Sequence, residues 1–219
     1  MSVVKLDAYV LIVRGNDSLK LIDGLSTNKV EKSCSTVFTT ATAKVIDLVD
    51  VIVKESFIAL VGHNPYKQNL LQHISQKILN QDVTIGDASE SNNVYLSTKE
   101  FPKKDGITIM KTFRGWLIVS PKNIQITDSM SQMDFDEYRV DNMIPMQGHE
   151  ITPKNHPLAC GLGHLVHESK GCYIGQEILA RMRSRGKQGK ELVRLPNPVE
   201  DATTTGKTHS LVIRRISKN

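Results

Sequence analysis

The chain has 219 residues, 39% hydrophobic and 23% charged, with a formal net charge of +5, enough to bury a core as one large domain or two small intimately packed ones. No stretch approaches membrane-spanning length, and the start, Met1 to Tyr9, lacks both a signal peptide's long apolar run and a transit peptide's arginine-rich amphipathic character. The expectation is a cytoplasmic protein with no membrane partner; its three widely spaced cysteines, Cys34, Cys160 and Cys172, suggest neither a disulfide framework nor a cysteine metal knuckle.

In chain order, Tyr9 to Val13 reads as a strand, and Gly15-Asn16-Asp17-Ser18 as a turn that caps a short helix burying Leu19, Ile22 and Leu25. Between residues 36 and 62 three runs rich in β-branched and aromatic residues, Thr36 to Ala43, Val45 to Val53 and Phe57 to Val61, predict strands. Asn64-Pro65 predicts a helix start, with Asn64 as N-cap and Leu70, Leu71, Ile74 and Ile78 on one face. Further strands are expected at Val83 to Ile85, Val94 to Ser97, Ile107 to Phe113 and Trp116 to Val119, with polar loops at Asp87 to Asn93 and Lys99 to Gly106. Met130 to Tyr138 suggests a short helix and Pro153 to His167 a connection. After Gly186, strands are expected at Glu191 to Leu195 and Ser210 to Ile216. Strands and helices in this order, without a regular βαβ repeat, indicate an α+β fold.

The most informative segment is Lys170-Gly171-Cys172-Tyr173-Ile174-Gly175-Gln176-Glu177. It places a thiol on a glycine-flanked turn before an amphipathic helix with Ile174, Ile178, Leu179 and Met182 on one face. Lys170 and the positive end of the helix dipole would both favour an anionic sulfur. A buried, inert cysteine among turn glycines is the competing reading, and these arguments alone leave the two open.

Residues 170 to 219 hold eleven Lys or Arg against four Asp or Glu, a balance of +7 that leaves −2 for the rest. Tyr173 is the one aromatic residue there, so base stacking is poorly supported and nucleic acid is disfavoured as a partner. His156, Cys160, His164 and His167 have metal-ligand spacing only on a continuous helix, which Pro157, Gly161 and Gly163 would break, so no metal is assigned.

The octet, with Arg181 and Gly186 after it, resembles the signature of the YgfZ family: folate-binding proteins, related in fold to the glycine-cleavage T-protein, that assist iron–sulfur cluster assembly or repair. Gly15-x-Asp17-x-x-x-Leu21-Ile22-x-Gly24-Leu25-x-Thr27-Asn28 resembles the N-terminal pattern of the same superfamily, with Lys29 in place of an aspartate. The resemblance implies a T-protein-like folate-binding fold with ferredoxin-like mixed sheets and helices over residues 1–185. That region would comprise two interleaved subdomains, about 1–50 plus 115–185, and 51–114. Residues 186–219 would then be a short basic β tail, too short for the full C-terminal β-barrel that closes longer members.

Arg139-Val140-Asp141-Asn142-Met143-Ile144-Pro145 resembles the family's Arg-x-Glu-x-Gly-x-Pro segment, which makes Asp141 the implied pterin anchor, a carboxylate able to accept two hydrogen bonds from the amino and ring N–H edge. Arg139, Lys170, Tyr173, Gln176, Glu177 and Arg181 are implied contacts to the coenzyme, cationic groups suiting its carboxylate tail, and the resemblance likewise implies Cys172 as the functional thiol. Glu150-Ile151-Thr152-Pro153 matches a family Glu-x-x-Pro element and is read as a capping and turn signal. Lys44-Val45-Ile46-Asp47-Leu48 matches the T-protein strand that ends in an Asp-Asp pair. Here Leu48 stands at the second aspartate, and an apolar side chain cannot relay a proton.

The expectation is therefore a protein that binds tetrahydrofolate or a related tetrahydropterin, such as a methanopterin, and meets iron–sulfur client or assembly proteins. The alternatives are an aminomethyltransferase-like one-carbon transferase and an RNA- or protein-binding module using the basic C-terminal face.

Overall fold

The computed structural model describes residues 2–186 and 188–216. In chain order it contains β1 (Val3–Leu6), β2 (Ala8–Arg14), α1 (Ser18–Leu25), β3 (Cys34–Thr39), β4 (Val45–Val53), β5 (Ile58–His63), α2 (Lys67–Ser75), β6 (Thr84–Asp87), β7 (Asn92–Ser97), β8 (Thr108–Thr112), β9 (Gly115–Pro121), α3 (Gln132–Asp141), α4 (Gln176–Ser184), β10 (Lys190–Pro196), β11 (Thr204–Thr205) and β12 (His209–Arg215). Single 3₁₀ turns lie at Asn64–Tyr66, Ser89–Ser91 and Gly163–Leu165. The fold class is α+β, as the order of strand and helix signals indicates.

The chain forms two compact units that interleave in sequence. The first takes the stretch ending at Asp23 together with Val30–Thr36 and Val49–Ser131. The second takes Gly24–Lys29, Val37–Leu48 and the chain from Gln132 onward. One five-stranded sheet has the order β3-β4-β5-β2-β6, and β3 and β4 each contribute residues to both units.

A four-stranded antiparallel sheet, β1-β7-β9-β8, belongs wholly to the first unit. Its core joins Val10, Ile52, Ala59 and Val61 of the five-stranded sheet to Val94, Met110, Leu117 and Val119. These residues alternate along their strands, so period-2 patterning selects the buried face. Sequence reading missed β1, whose Val-Val-Lys-Leu is too short to alternate visibly; pairing of Val3 with Ser97 and Leu6 with Val94 defines it. Asp50, fully buried, accepts hydrogen bonds from Ser35 Oγ at 2.6 Å and from the guanidinium of Arg114. Gly115, at the β8–β9 turn, has φ +137°, and a Cβ there would stand 2.5 Å from the Ser97 carbonyl oxygen.

Three local expectations are corrected. Leu19 is exposed on α1, while Ile22 and Leu25 are buried. Asn64 is not a helix N-cap; it lies inside a 3₁₀ turn and its side-chain amide donates to Asp7 Oδ1 at 2.8 Å, so α2 begins at Lys67 with Leu70 and Ile74 buried. Strand β3 ends at Thr39, because Thr40 to Ala43 closes a tight turn in which the Ala43 N–H donates to the Thr40 carbonyl and Ala43 itself adopts φ 59°.

In the second unit, α4 and the turn before it pack Leu179 and Tyr173 against Ala43, Leu158 and Val166. Val140 of α3 meets Leu192 and Leu211 of the three-stranded antiparallel sheet β10-β12-β11. No continuous helix runs from His156 to His167. His156 holds its loop by accepting the Ala159 N–H at Nδ1 (3.2 Å) and donating from Nε2 to the Gln188 carbonyl (2.9 Å), an arrangement open only to the neutral ring.

Burial lowers the pKa values of His73, His156 and His164, with Lys77 adding to the effect at His73 and Lys44 and Lys190 at His156. Their unfolded values are near 6.5, so the native state binds fewer protons below that pH. Their contribution to stability is complete above about pH 6.5 and declines as pH falls through the lowered folded values. Urea midpoints measured from pH 7.5 to 5 should fall, and His156→Gln should flatten part of that decline. No helix among the described residues is long and apolar enough to cross a membrane.

Candidate functional site

The octet forms a pinned turn. Gly175 is the N-cap of α4 and has left-handed geometry, φ 87° and ψ −2°. A Cβ at Gly175 would stand 2.7 Å from the Thr40 carbonyl oxygen and 2.9 Å from Thr39 Oγ1, so only glycine allows this approach of turn to strand. Next to it, Thr39 Oγ1 donates to the Ile174 carbonyl at 2.7 Å.

At the other end of the turn Lys170 is 8% exposed. Its ammonium donates to the carbonyls of Ser26 (2.9 Å) and Asn28 (2.8 Å) and lies 5.5 Å from the Tyr173 ring centroid. The loop that receives it is itself held: Thr27 Oγ1 donates to Leu165 O at 2.8 Å and accepts the Val37 N–H, and Thr27 O accepts the His167 N–H. Tyr173 is buried, and that burial pushes its hydroxyl pKa up. Between these two anchors Cys172 is exposed. The other two thiols differ: Cys34 is half-buried, and Cys160 is buried, with desolvation and the nearby Glu150 pushing its pKa up to about 12. Among the three, only Cys172 is presented to solvent on a fixed backbone.

A pocket of about 350 Å³ opens beside the turn, lined in part by Val166, His167, Glu168, Tyr173, Gln176 and Arg183. Arg183 builds the wall, donating to Val166 O at 2.9 Å and Gly163 O at 2.5 Å. His167 accepts the Ser169 N–H at Nδ1, which leaves Nε2 to carry the hydrogen. The volume is in the range of small-molecule sites. An aromatic wall with an amide, an imidazole N–H and a guanidinium around it suits a planar ligand with acceptor atoms.

The remaining residues that the sequence singled out lie elsewhere. Glu177 and Arg181 pair with each other at 2.7 Å on the exposed side of α4. Arg139 is fully buried: Nη1 donates to Glu150 Oε2 and to Ile144 O, Nη2 to Asp136 Oδ1 and Thr204 Oγ1, and Nε to Asp136 Oδ1. Glu150 is equally buried and takes hydrogen bonds from Thr203, Thr204 and the Met146 N–H. Its carboxylate is the partner of a buried ion pair, not a helix cap. Asp141, at the C-terminal end of α3, is half exposed and bound through Oδ1 to Arg194 at 2.6 Å.

Sequence reasoning missed Glu150 as an ion-pair partner, and with it Asp136, Thr204 and Arg194; the pairings span 53 to 65 residues for the last two, and no local spacing reports them. Asp47 is buried and accepts from Gln147 Nε2 at 3.1 Å, and the same amide donates to the Leu48 carbonyl at 2.9 Å. Leu48 is fully buried. Four of the eleven cations of the basic C-terminal stretch form the ion pairs Arg181–Glu177, Arg183–Glu168, Arg194–Asp141 and Arg214–Asp201.

The crystal structure of the glycine cleavage system aminomethyltransferase T from Bartonella henselae superposes with a TM-score of 0.73 over 90% of this chain and 67% of that one, at 13% identity. The chain has the T-protein fold. In sequence, 52 residues are 40% identical to an aminomethyltransferase of Symbiobacterium thermophilum. That match spans 23% of this chain and 14% of the relative's length. No family model matches the sequence. The T-protein fold thus extends over nearly the whole chain.

Proposed function

We propose that this protein is a tetrahydrofolate- or tetrahydropterin-binding accessory factor of the YgfZ branch of the T-protein fold, supporting iron–sulfur cluster assembly or repair, with Cys172 as its working thiol. The observation that carries this reading is the pinned turn: Lys170, Tyr173 and Gly175 each have a role that holds the backbone around an exposed Cys172. The octet's other glycine, Gly171, has open space around it, and Gln176 faces the pocket.

The residues fit the ring of a pterin better than its tail. Tyr173 and Gln176 offer a flat wall and an amide in the pocket beside the turn; the Asp141 carboxylate, half exposed at the end of α3 and outside that pocket's lining, would have to exchange Arg194 for an amino and ring N–H edge. Arg139 and Lys170 are turned inward onto carbonyls and carboxylates of the protein and do not fit a role in pairing with the coenzyme's carboxylates.

Isothermal calorimetry with reduced folate should show binding that Asp141→Ala weakens by about tenfold or more, as expected for loss of a charged hydrogen-bond acceptor. In cells, Cys172→Ala should lower the activity of iron–sulfur enzymes while the folded protein persists. Absence of binding to any reduced pterin, together with failure of Cys172 to react with an alkylating agent in the folded state, would overturn the reading.

One observation favours a second reading. The named relatives are aminomethyltransferases, and a one-carbon transferase would show aminomethyl transfer from a lipoyl carrier protein to tetrahydrofolate. Leu48 opposes it, because a fully buried leucine at the place of the second aspartate has no proton to relay.

A further inference from the structure

The first unit carries a second pocket, of about 450 Å³, at the end of the four-stranded sheet where β1 finishes and β7 begins. Its wall is polar: Lys5, Asp7, Asn64, Ser89, Asn93 and Lys122 line it, with Asn92 and a few aliphatic groups. Most of these polar groups are already engaged. The Asp7 main-chain oxygen accepts the Asn64 N–H, its Oδ1 takes the Asn64 side-chain amide, and the His63 Nδ1 lies 2.8 Å from the same main-chain oxygen. Ser89 Oγ accepts the Val10 N–H and donates to Asp87. Asn92 Nδ2 donates to the Ala88 carbonyl.

Three side chains are left over. The ammonium groups of Lys5 and Lys122 and the amide of Asn93 make no hydrogen bond or ion pair with any described residue. The carboxylate of Asp128 accepts the Lys5 backbone N–H at 3.3 Å. Register puts two of them on one face of the sheet, Lys5 lying opposite Tyr95, two residues from Asn93; Lys122 follows β9 in a turn, its N–H donating to the Ser91 carbonyl, and it lines the same pocket. The pocket therefore has unspent donors and cations, while one oxygen of its single carboxylate is already bound.

We propose that this pocket is a binding site for a small polar molecule bearing an oxyanion, phosphate or carboxylate, held by Lys5, Lys122 and the Asn93 amide. Ammonium groups serve phosphate or carboxylate oxygens as point charges, and an amide N–H adds direction. The site involves none of the residues assigned to the folate reading and stands independently of it.

The test is a ¹⁵N NMR titration of the full chain, at constant ionic strength, with inorganic phosphate in one arm and succinate in the other. Saturable shifts centred on Lys5, Asn93 and Lys122 are expected in at least one arm, and the arm that saturates assigns the oxyanion class. Lys5→Met with Lys122→Met should weaken that binding by roughly tenfold or more. Both lysine heads are exposed, so the variant should keep its fold; Asn93→Ala provides an independent check through a smaller loss. Linear, unsaturated shifts spread over surface lysines, or unchanged affinity in the double variant, would overturn the site.

Discussion

Replacing Arg139 with methionine should lower the stability of the second unit by about 3–5 kcal/mol, the cost expected when one partner of a buried ion pair is removed and the other is left charged and dry. The side chain is fully buried and its three nitrogens hold Glu150, Asp136, Thr204 and the Ile144 carbonyl. Glu150 would retain Thr203, Thr204 and the Met146 N–H, three donors with no positive charge among them. Lysine should not rescue the loss, because an ammonium cannot span this fork of acceptors. Arg139→Met combined with Glu150→Met should recover much of the stability, since removing both charges eliminates the uncompensated carboxylate. Urea denaturation followed by circular dichroism measures all three variants. If Arg139→Met unfolds no earlier than the parent protein while reduced-folate binding is lost, Arg139 is a ligand group and the structural account fails.

That network also marks how far the sequence could be read. Elements with strong periodicity were legible: Val45 to Val53 is β4 residue for residue, and Leu70 and Ile74 of α2 are the buried face that their spacing implies. The pinned turn was legible in part, because glycine-flanked cysteine before an amphipathic stretch is a local pattern. What the pattern could not report was the destination of each polar side chain. Lys170 reads as a neighbour for the thiol, yet its ammonium ends 142 to 144 positions away in sequence, on the carbonyls of Asn28 and Ser26.

The same holds for Arg139 and Arg194. In one dimension each is a cation available to a ligand; in three, Arg139 has its hydrogens taken up by Glu150, Asp136 and Thr204, and Arg194 gives one to Asp141. Arg181 and Arg214 likewise meet acids of the same basic stretch, Glu177 and Asp201, at 2.7 and 2.6 Å, pairings that a charge count does not report. Hydrophobic periodicity sets the elements; the pairing of polar groups is a tertiary property that only folding decides.

Gly175→Ala should be the most damaging of the single-methyl changes in the octet, costing about 2 kcal/mol or more. A left-handed backbone penalises any Cβ by roughly 1–2 kcal/mol, and here the added methyl also meets Thr40 O at 2.7 Å and Thr39 Oγ1 at 2.9 Å, with backbone on one side and a side chain already committed to Ile174 O on the other. Neither neighbour can retreat without disturbing the β3 end or the tight turn to Ala43. Gly171→Ala is the matched control: nothing lies within 4 Å of its would-be Cβ, and its stability should be unchanged. The pair separates flexibility from position. If the turn exists to hold Cys172 in place, Gly175→Ala should alter the alkylation rate of Cys172 in the native protein as well as the urea midpoint, whereas Gly171→Ala should alter neither. Equal effects of the two substitutions would mean that close approach to β3 is not what fixes the thiol.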